Sequence, residues 1–260
     1  MNQLRLSVSK CKIFSDCKKK YEFSYVLKYP QKDEDYHILG KFCHKILEDF
    51  HNAYINGSHE PYNQIMSLAF KNACVEYKSR LTLEMKKECW NLIDKYLKSV
   101  TNDKKNNLSA NVIACEKSFS LPIIDNIVLN GVIDRIQIDS DDVIHVGDYK
   151  TTKNKKYLKE DWFQLKTYAY TILLENPDLK KIRASYILLR HDYEYLTTEF
   201  TADEILQVKD KYIEYAKNIR QEKDFEPNPT FLCNWCPFLE HCEPGKLKTK
   251  PELKYGETTY

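Results

Sequence analysis

The stretch Ile127-Val-Leu-Asn-Gly-Val-Ile-Asp-Arg-Ile-Gln-Ile138 constrains the fold more than any other. It is rich in β-branched residues and nearly all apolar, so it reads as a strand set into a core. Asp134 stands in its middle. Strand alternation puts Asp134 on one face with Val128, Val132, Ile136 and Ile138. A carboxylate there is expensive to bury without a cation or a partner. The next run, Val143-Ile-His-Val-Gly-Asp-Tyr-Lys150, follows a short turn over Asp139 to Asp142. Asp148 and Lys150 are two residues apart and project from one face, with Ile144 and Val146. Pairing these strands brings Asp134 toward Asp148. Two carboxylates and a lysine on neighbouring strands can hold Mg²⁺ and a reacting phosphate. Taken alone, Asp148/Lys150 is equally compatible with a cross-strand salt bridge. The acid-x-Lys pattern recurs six more times in the chain, for example at Asp16/Lys18 and Glu84/Lys86.

The pattern around these strands is α/β. Residues 1–110 read as mainly helical: Ile46, Leu47, Phe50 and Tyr54 lie at helical spacing within Gly40 to Tyr54, and further helices are expected near 62–80 and 82–100. The polar run Thr101 to Asn107 ends this part. Strands are expected over 111–119, 127–138, 143–150, 182–189 and 195–200, with a turn at Pro122 to Asn126. Helices are expected over 160–175 and 202–222. We read one α/β domain over 1–260, with a helical part (1–110), an α/β core (111–222) and a cysteine-bearing tail (223–260). Its 260 residues, 42% hydrophobic, suffice for one sizeable core. A net charge of +2 excludes a generally basic nucleic-acid coat and leaves a local basic groove open. No run approaches the ~18 apolar residues of a membrane span, and Met1 to Arg5 has no apolar signal region. An intracellular, cytoplasmic protein without a membrane partner is expected.

Other residues converge on the Asp148 strand. Gln164 and Tyr168, four apart, share a face of the helix that follows it. By themselves they read as a solvated Gln and a packed Tyr. His44 sits at the edge of an apolar helical face, where a lone histidine is more often structural than a ligand. Between Lys150 and Trp162 lie Lys153, Lys155, Lys156 and Lys159, so five lysines and two aromatics occupy 13 residues. That composition attracts phosphate, and it equally suits a solvated loop. Lys18-Lys19-Lys20 forms a second, weaker patch.

Nine cysteines, an odd number in a chain without a secretory signal, argue against a disulfide framework. Most suit small buried hydrophobes. Cys233, Cys236 and Cys242, spaced C-x2-C-x5-C, do not.

Taken together, these residues resemble the PD-(D/E)XK nuclease superfamily, and within it the RecB-type branch that carries a four-cysteine iron–sulfur cluster. That branch includes the AddB nuclease domain and the CRISPR-associated iron–sulfur exonucleases. Leu6 to Tyr21 resembles the opening segment that supplies the first cluster cysteine, Cys17. Lys18 stands where the family has proline. Cys11, a nearby rival, occupies a position usually filled by a hydrophobic residue. Gly40-Lys-Phe-Cys-His44 resembles "G-x-x-x-H", Gly131-Val-Ile-Asp134-Arg135 resembles "G-x-I-D-R", Gly147-Asp148-Tyr149-Lys150-Thr151 resembles "V-D-Y-K-T", and Gln164 to Tyr168 resembles "Q-x-x-x-Y". The closing cysteines match the family's C-x2-C-x5-C.

The resemblance implies a restriction-endonuclease-like core, a central mixed sheet flanked by helices, with an iron–sulfur staple joining the C-terminus to the N-terminal segment. It implies a metal-dependent DNA nuclease, an exonuclease on single-stranded DNA or DNA ends. His44, Asp134, Asp148 and the Tyr149 carbonyl would hold Mg²⁺ or Mn²⁺. Lys150, Gln164 and Tyr168 would complete the catalytic set, with Lys153, Lys155, Lys156 and Tyr168 as DNA contacts. Cys17, Cys233, Cys236 and Cys242 would hold a [4Fe–4S] cluster; structural Zn²⁺ is the alternative, since spacing alone does not decide. A helicase or other DNA-processing protein is a candidate partner. The contrasting reading is a non-catalytic or partner-dependent iron–sulfur or zinc subunit that binds DNA.

Overall fold

The computed structural model describes residues 3–31, 35–102, 111–124, 126–155 and 162–249. The chain groups into two compact units. One is built from Met1–Asp33, Pro122–Leu129 and Lys211–Tyr260, the other from Glu34–Leu121 and Asn130–Asp210.

In the first unit, strand β1 (Leu4–Leu6) pairs in parallel with the start of β3 (Ile127–Ile138), in the register Leu4↔Ile127. This short strand was not expected in the helical reading of 1–110. Ser7 then accepts a hydrogen bond from the Lys10 amide and starts α1 (Val8–Asp16). A four-residue helix α2 (Lys18–Tyr21) and one π turn (Glu22–Val26) follow. Further on, this unit contains the end of α8 (Val208–Gln221), two single-turn 3₁₀ segments and the short α9 (Glu243–Lys248).

The second unit holds the larger core. Helices α3 (Asp35–Ile55), α4 (Tyr62–Glu76) and α5 (Leu83–Asn102) bury an apolar stripe that includes Phe42, Ile46, Leu47, Phe50, Met66, Ile93 and Tyr96. They pack on the sheet through Tyr149, Ile187 and Leu189. Strand β2 (Val112–Ile124) pairs with β3. It runs through Pro122, so the expected turn there is confined to its last residues. β3 pairs antiparallel with β4 (Ile144–Lys150), β4 parallel with β5 (Lys181–Leu188), and β5 antiparallel with β6 (Glu194–Thr201). The parallel step is made by the crossover helix α6 (Phe163–Glu175), which packs on β4 and β5. The expected helix over 202–222 divides at Gln207 into α7 (Ala202–Leu206) and α8. The result is a mixed sheet with helices on both faces.

Two glycines in the sheet lie under close side-chain contacts, the tighter one at Gly131. A Cβ at Gly131 would overlap the Phe119 ring, and one at Gly147 would lie 2.9 Å from Ile187 Cδ1. Among the described residues, no helix is long and apolar enough to cross a membrane.

Candidate active site

The site lies wholly within the second unit. β3 and β4 cross in the register Arg135↔Gly147, so Asp134 lies one step further along, toward Asp148. Both carboxylates are buried, at 8% and 2% exposure. The Tyr149 amide donates to Asp134 Oδ2 at 2.9 Å, and the Tyr149 carbonyl lies 3.0 Å from His44 Nε2. His44 Nδ1 is 3.4 Å from Asp134 Oδ2 and 3.7 Å from Glu116 Oε1. His44, Glu116 and Asp134 each offer one donor atom within 4.8 Å of the others. One imidazole, two carboxylates and a backbone carbonyl suit a hard divalent cation.

Glu116 is the residue the sequence reading missed. It lies on β2, outside the motifs considered, and its backbone is left-handed, with φ 47°. That conformation is uncommon for a non-glycine residue and costs on the order of 1–2 kcal/mol. It interrupts the alternation of β2, so no period-2 pattern could have pointed to it. Strained backbone of this kind clusters at active sites, and here it accompanies a carboxylate 3.7 Å from His44 Nδ1.

Asp148 is engaged differently from the other acids. Its Oδ2 pairs with Lys150 Nζ at 2.6 Å. Its Oδ1 accepts from Gln164 Nε2 at 2.6 Å and from the Tyr168 hydroxyl at 3.3 Å. Lys150 also donates to Gln164 Oε1 at 3.0 Å, and Gln164 Nε2 lies 2.8 Å from the Tyr168 hydroxyl oxygen. The i, i+4 pair on α6 therefore reaches the Asp-x-Lys strand end as one network. The structure thus brings together all of Lys150, Asp148, Asp134, Gln164, Tyr168, His44 and the Tyr149 carbonyl.

The electrostatics follow from crowding. Burial alone would lower the His44 pKa, but the Glu116, Asp134 and Asp148 carboxylates around it outweigh burial and hold it at about 9. Burial, then the charge of Asp148, pushes Asp134 up to about 7, against the pull of His44 and the Tyr149 amide. Such a cluster is short of positive charge, which a divalent ion supplies. On the far face Arg135 is wholly buried and donates to the hydroxyls of Tyr96 (3.2 Å), Tyr149 (3.4 Å) and Tyr195 (3.4 Å). Tyr149 is thereby clamped by its side chain while its backbone serves the site.

Of the expected DNA contacts, Lys153 and Lys155 are exposed, and Lys155 pairs with Glu194; Lys156 lies outside the described residues. Elsewhere in this unit, Ser185, His145 and Asp139 form a hydrogen-bonded chain (2.7 and 3.0 Å). Ser185 is wholly buried, so no substrate reaches its hydroxyl and the chain is not a hydrolase triad.

In the first unit, Cys17, Cys233, Cys236 and Cys242 line one small cavity with Phe23, Leu239 and Gly245. The Asn228 and Thr230 amides lie 3.5 and 3.4 Å from the sulfurs of Cys17 and Cys233. Cys11 is buried apart from it, its thiol pushed up to about 12 by burial.

Residues 5–243 match the family model of the PD-(D/E)XK nuclease superfamily. The chain belongs to that superfamily. No curated protein matches the sequence. Among solved structures, an Eubacterium rectale protein named only provisionally as an exonuclease superposes with a TM-score of 0.51 at 11% identity, over 89% of this chain and 86% of its own. At that identity it speaks for the fold alone. A crystal structure of SSO0001 aligns at TM-score 0.42 and 13% identity, over 92% and 85% of the two chains.

Proposed function

We propose that this PD-(D/E)XK protein is a Mg²⁺- or Mn²⁺-dependent deoxyribonuclease that hydrolyses phosphodiester bonds at the ends of single-stranded DNA. The observation that carries the reading is the juxtaposition of two groups: the His44–Glu116–Asp134 donor set, and beside it Lys150 held by Asp148 and Gln164. His44, Glu116, Asp134, the Tyr149 carbonyl and Asp148 would hold the cation. When bound, it supplies a Lewis acid for the phosphoryl oxygen and lowers the pKa of a water. Lys150 places an ammonium where negative charge grows on the phosphorane and orients the attacking water. Gln164 fixes the lysine and Asp148 relative to one another, and Tyr168 closes the network from below. The exonuclease name of the Eubacterium rectale neighbour, the fold shared with it and the family resemblance favour action at ends.

In the same reading Cys17, Cys233, Cys236 and Cys242 hold a [4Fe–4S] cluster as a staple. They line one cavity, and amides point at two of the sulfurs. Structural Zn²⁺ on the same four thiolates is the alternative, and the metal and sulfide content of the anaerobically purified protein decides between them.

The test is cleavage of end-labelled single- and double-stranded DNA by anaerobically purified protein, in Mg²⁺ and in Mn²⁺, against Asp148→Ala. Cleavage abolished in the variant supports the assignment. A wild type that binds metal and carries its cluster, yet cuts nothing, overturns it in favour of a DNA-binding subunit.

A further inference from the structure

Lys150 does not stand alone at the mouth of the site. Tyr186 is the parallel register partner of Asp148, so its side chain leaves β5 on the face that carries Asp148 and Lys150. The Lys150 ammonium lies 5.2 Å from the centroid of the Tyr186 ring. The indole of Trp162 stacks on the same ring, with centroids 5.6 Å apart and planes at 13°. Tyr186 is buried at 5% exposure, whereas Trp162 is half-buried. Trp162 is the N-cap residue of α6 but makes no side-chain capping hydrogen bond. Two residues later the same helix sends Gln164 to Asp148 and Lys150. The Lys150 ammonium, a buried phenol ring and a half-buried indole therefore succeed one another within a single group of contacts.

We propose that Trp162 is a nucleobase-stacking platform that holds the base of a nucleotide flanking the scissile phosphate. This rests on the nuclease reading and adds what the metal centre alone lacks, a means of placing the nucleotide. A nucleotide carries its planar base one sugar away from its phosphate. A site that acts on the phosphate beside Lys150 therefore needs a flat, apolar surface close by to hold the base, and an indole stiffened from behind by a parallel ring provides one. Stacking uses the π-face that every base has, so the platform binds without base preference. A tryptophan that only covered Tyr186 would contribute to stability and leave substrate discrimination untouched.

The experiment walks a single abasic position along a short single-stranded oligonucleotide and measures kcat/KM for each substrate, using the full chain. Wild type loses about 5- to 150-fold at one position flanking the cleaved bond, the range that corresponds to ~1–3 kcal/mol per stacked base. Trp162→Phe keeps most of that dependence. Trp162→Leu keeps the apolar cover over Tyr186 without a large π-face, cleaves the intact strand slowly, and shows no further loss at the abasic position. A Leu variant with wild-type kcat/KM on the intact strand, or with an undiminished abasic penalty, overturns the platform. Absence of cleavage by wild type defeats the nuclease reading instead. The platform is then read from binding: equal affinity of wild type for intact and abasic strands defeats it, and tighter binding of the intact strand that disappears in Trp162→Leu supports it.

Discussion

Cation binding at the His44 cluster must expel a proton. With His44 held at about 9, about one imidazole in a hundred is neutral at pH 7 and one in ten at pH 8. Only the neutral ring can ligate a metal. Displacing the proton at pH 7 therefore costs two pH units' worth of affinity, about 2.7 kcal/mol at 1.36 kcal/mol per unit. The sign is that affinity rises with pH and levels off near 9. Between pH 7 and 8.5 the Mn²⁺ dissociation constant should fall about tenfold per unit, with about one proton released per ion. Below pH 7 Asp134, raised to about 7, takes up a second proton and the dependence steepens. Isothermal titration of the metal-free protein with Mn²⁺, in buffers of different ionisation enthalpy, gives both the constant and the proton count. The His44 imidazole resonance, assigned by its loss in His44→Gln, gives its titration directly. A pH-independent dissociation constant from 7 to 8.5, with no proton released at pH 7.5, would refute the reasoning. It would mean that the three carboxylates do not act on His44 as their spacing requires.

Other consequences are open to simpler tests. Lys150→Ala should lower kcat by about 10²- to 10⁴-fold while DNA affinity, read by fluorescence anisotropy in Ca²⁺, stays within a few-fold; parallel loss of binding would assign Lys150 to substrate capture. Gly131→Ala should destabilise the protein by about 1–3 kcal/mol through overlap with Phe119, and Phe119→Leu in the same chain should restore part of it in urea unfolding. Equal stability of Gly131→Ala and wild type would show that the Phe119 ring yields freely. On the proposed reading that the four cysteines hold a cluster, Cys236→Ser should abolish its absorbance and lower the unfolding temperature of the anaerobic protein; an unchanged melting curve would sink the role of the cysteines as a staple.

Local pattern was enough for some of this. Two-residue periodicity placed Asp148 and Lys150 on one strand face, because alternation is a property of the extended backbone alone. Helical spacing placed Gln164 and Tyr168 on one face of α6 for the same kind of reason. Placing an acid within an apolar run marked Asp134, because burying a charge without a partner is too costly to be incidental. The cysteine spacing marked the tail as something other than core.

Tertiary structure decided which of these groups meet. Glu116 joins His44 and Asp134 across more than 70 residues of chain, through a left-handed turn of backbone inside a strand. Periodicity cannot register such a residue, because it departs from the period. That Asp148 is held by Lys150, Gln164 and Tyr168, while Glu116 joins the donor set, depended on where α3 and α6 pack on opposite faces of the sheet. The packing likewise sets Cys17 in one cavity with the three distant cysteines, whereas Cys11 is sealed in core. Sequence records which face a residue takes. Only the packing of elements distant in the chain determines what that face meets, and the charges that meet there set the protonation of His44 and Asp134.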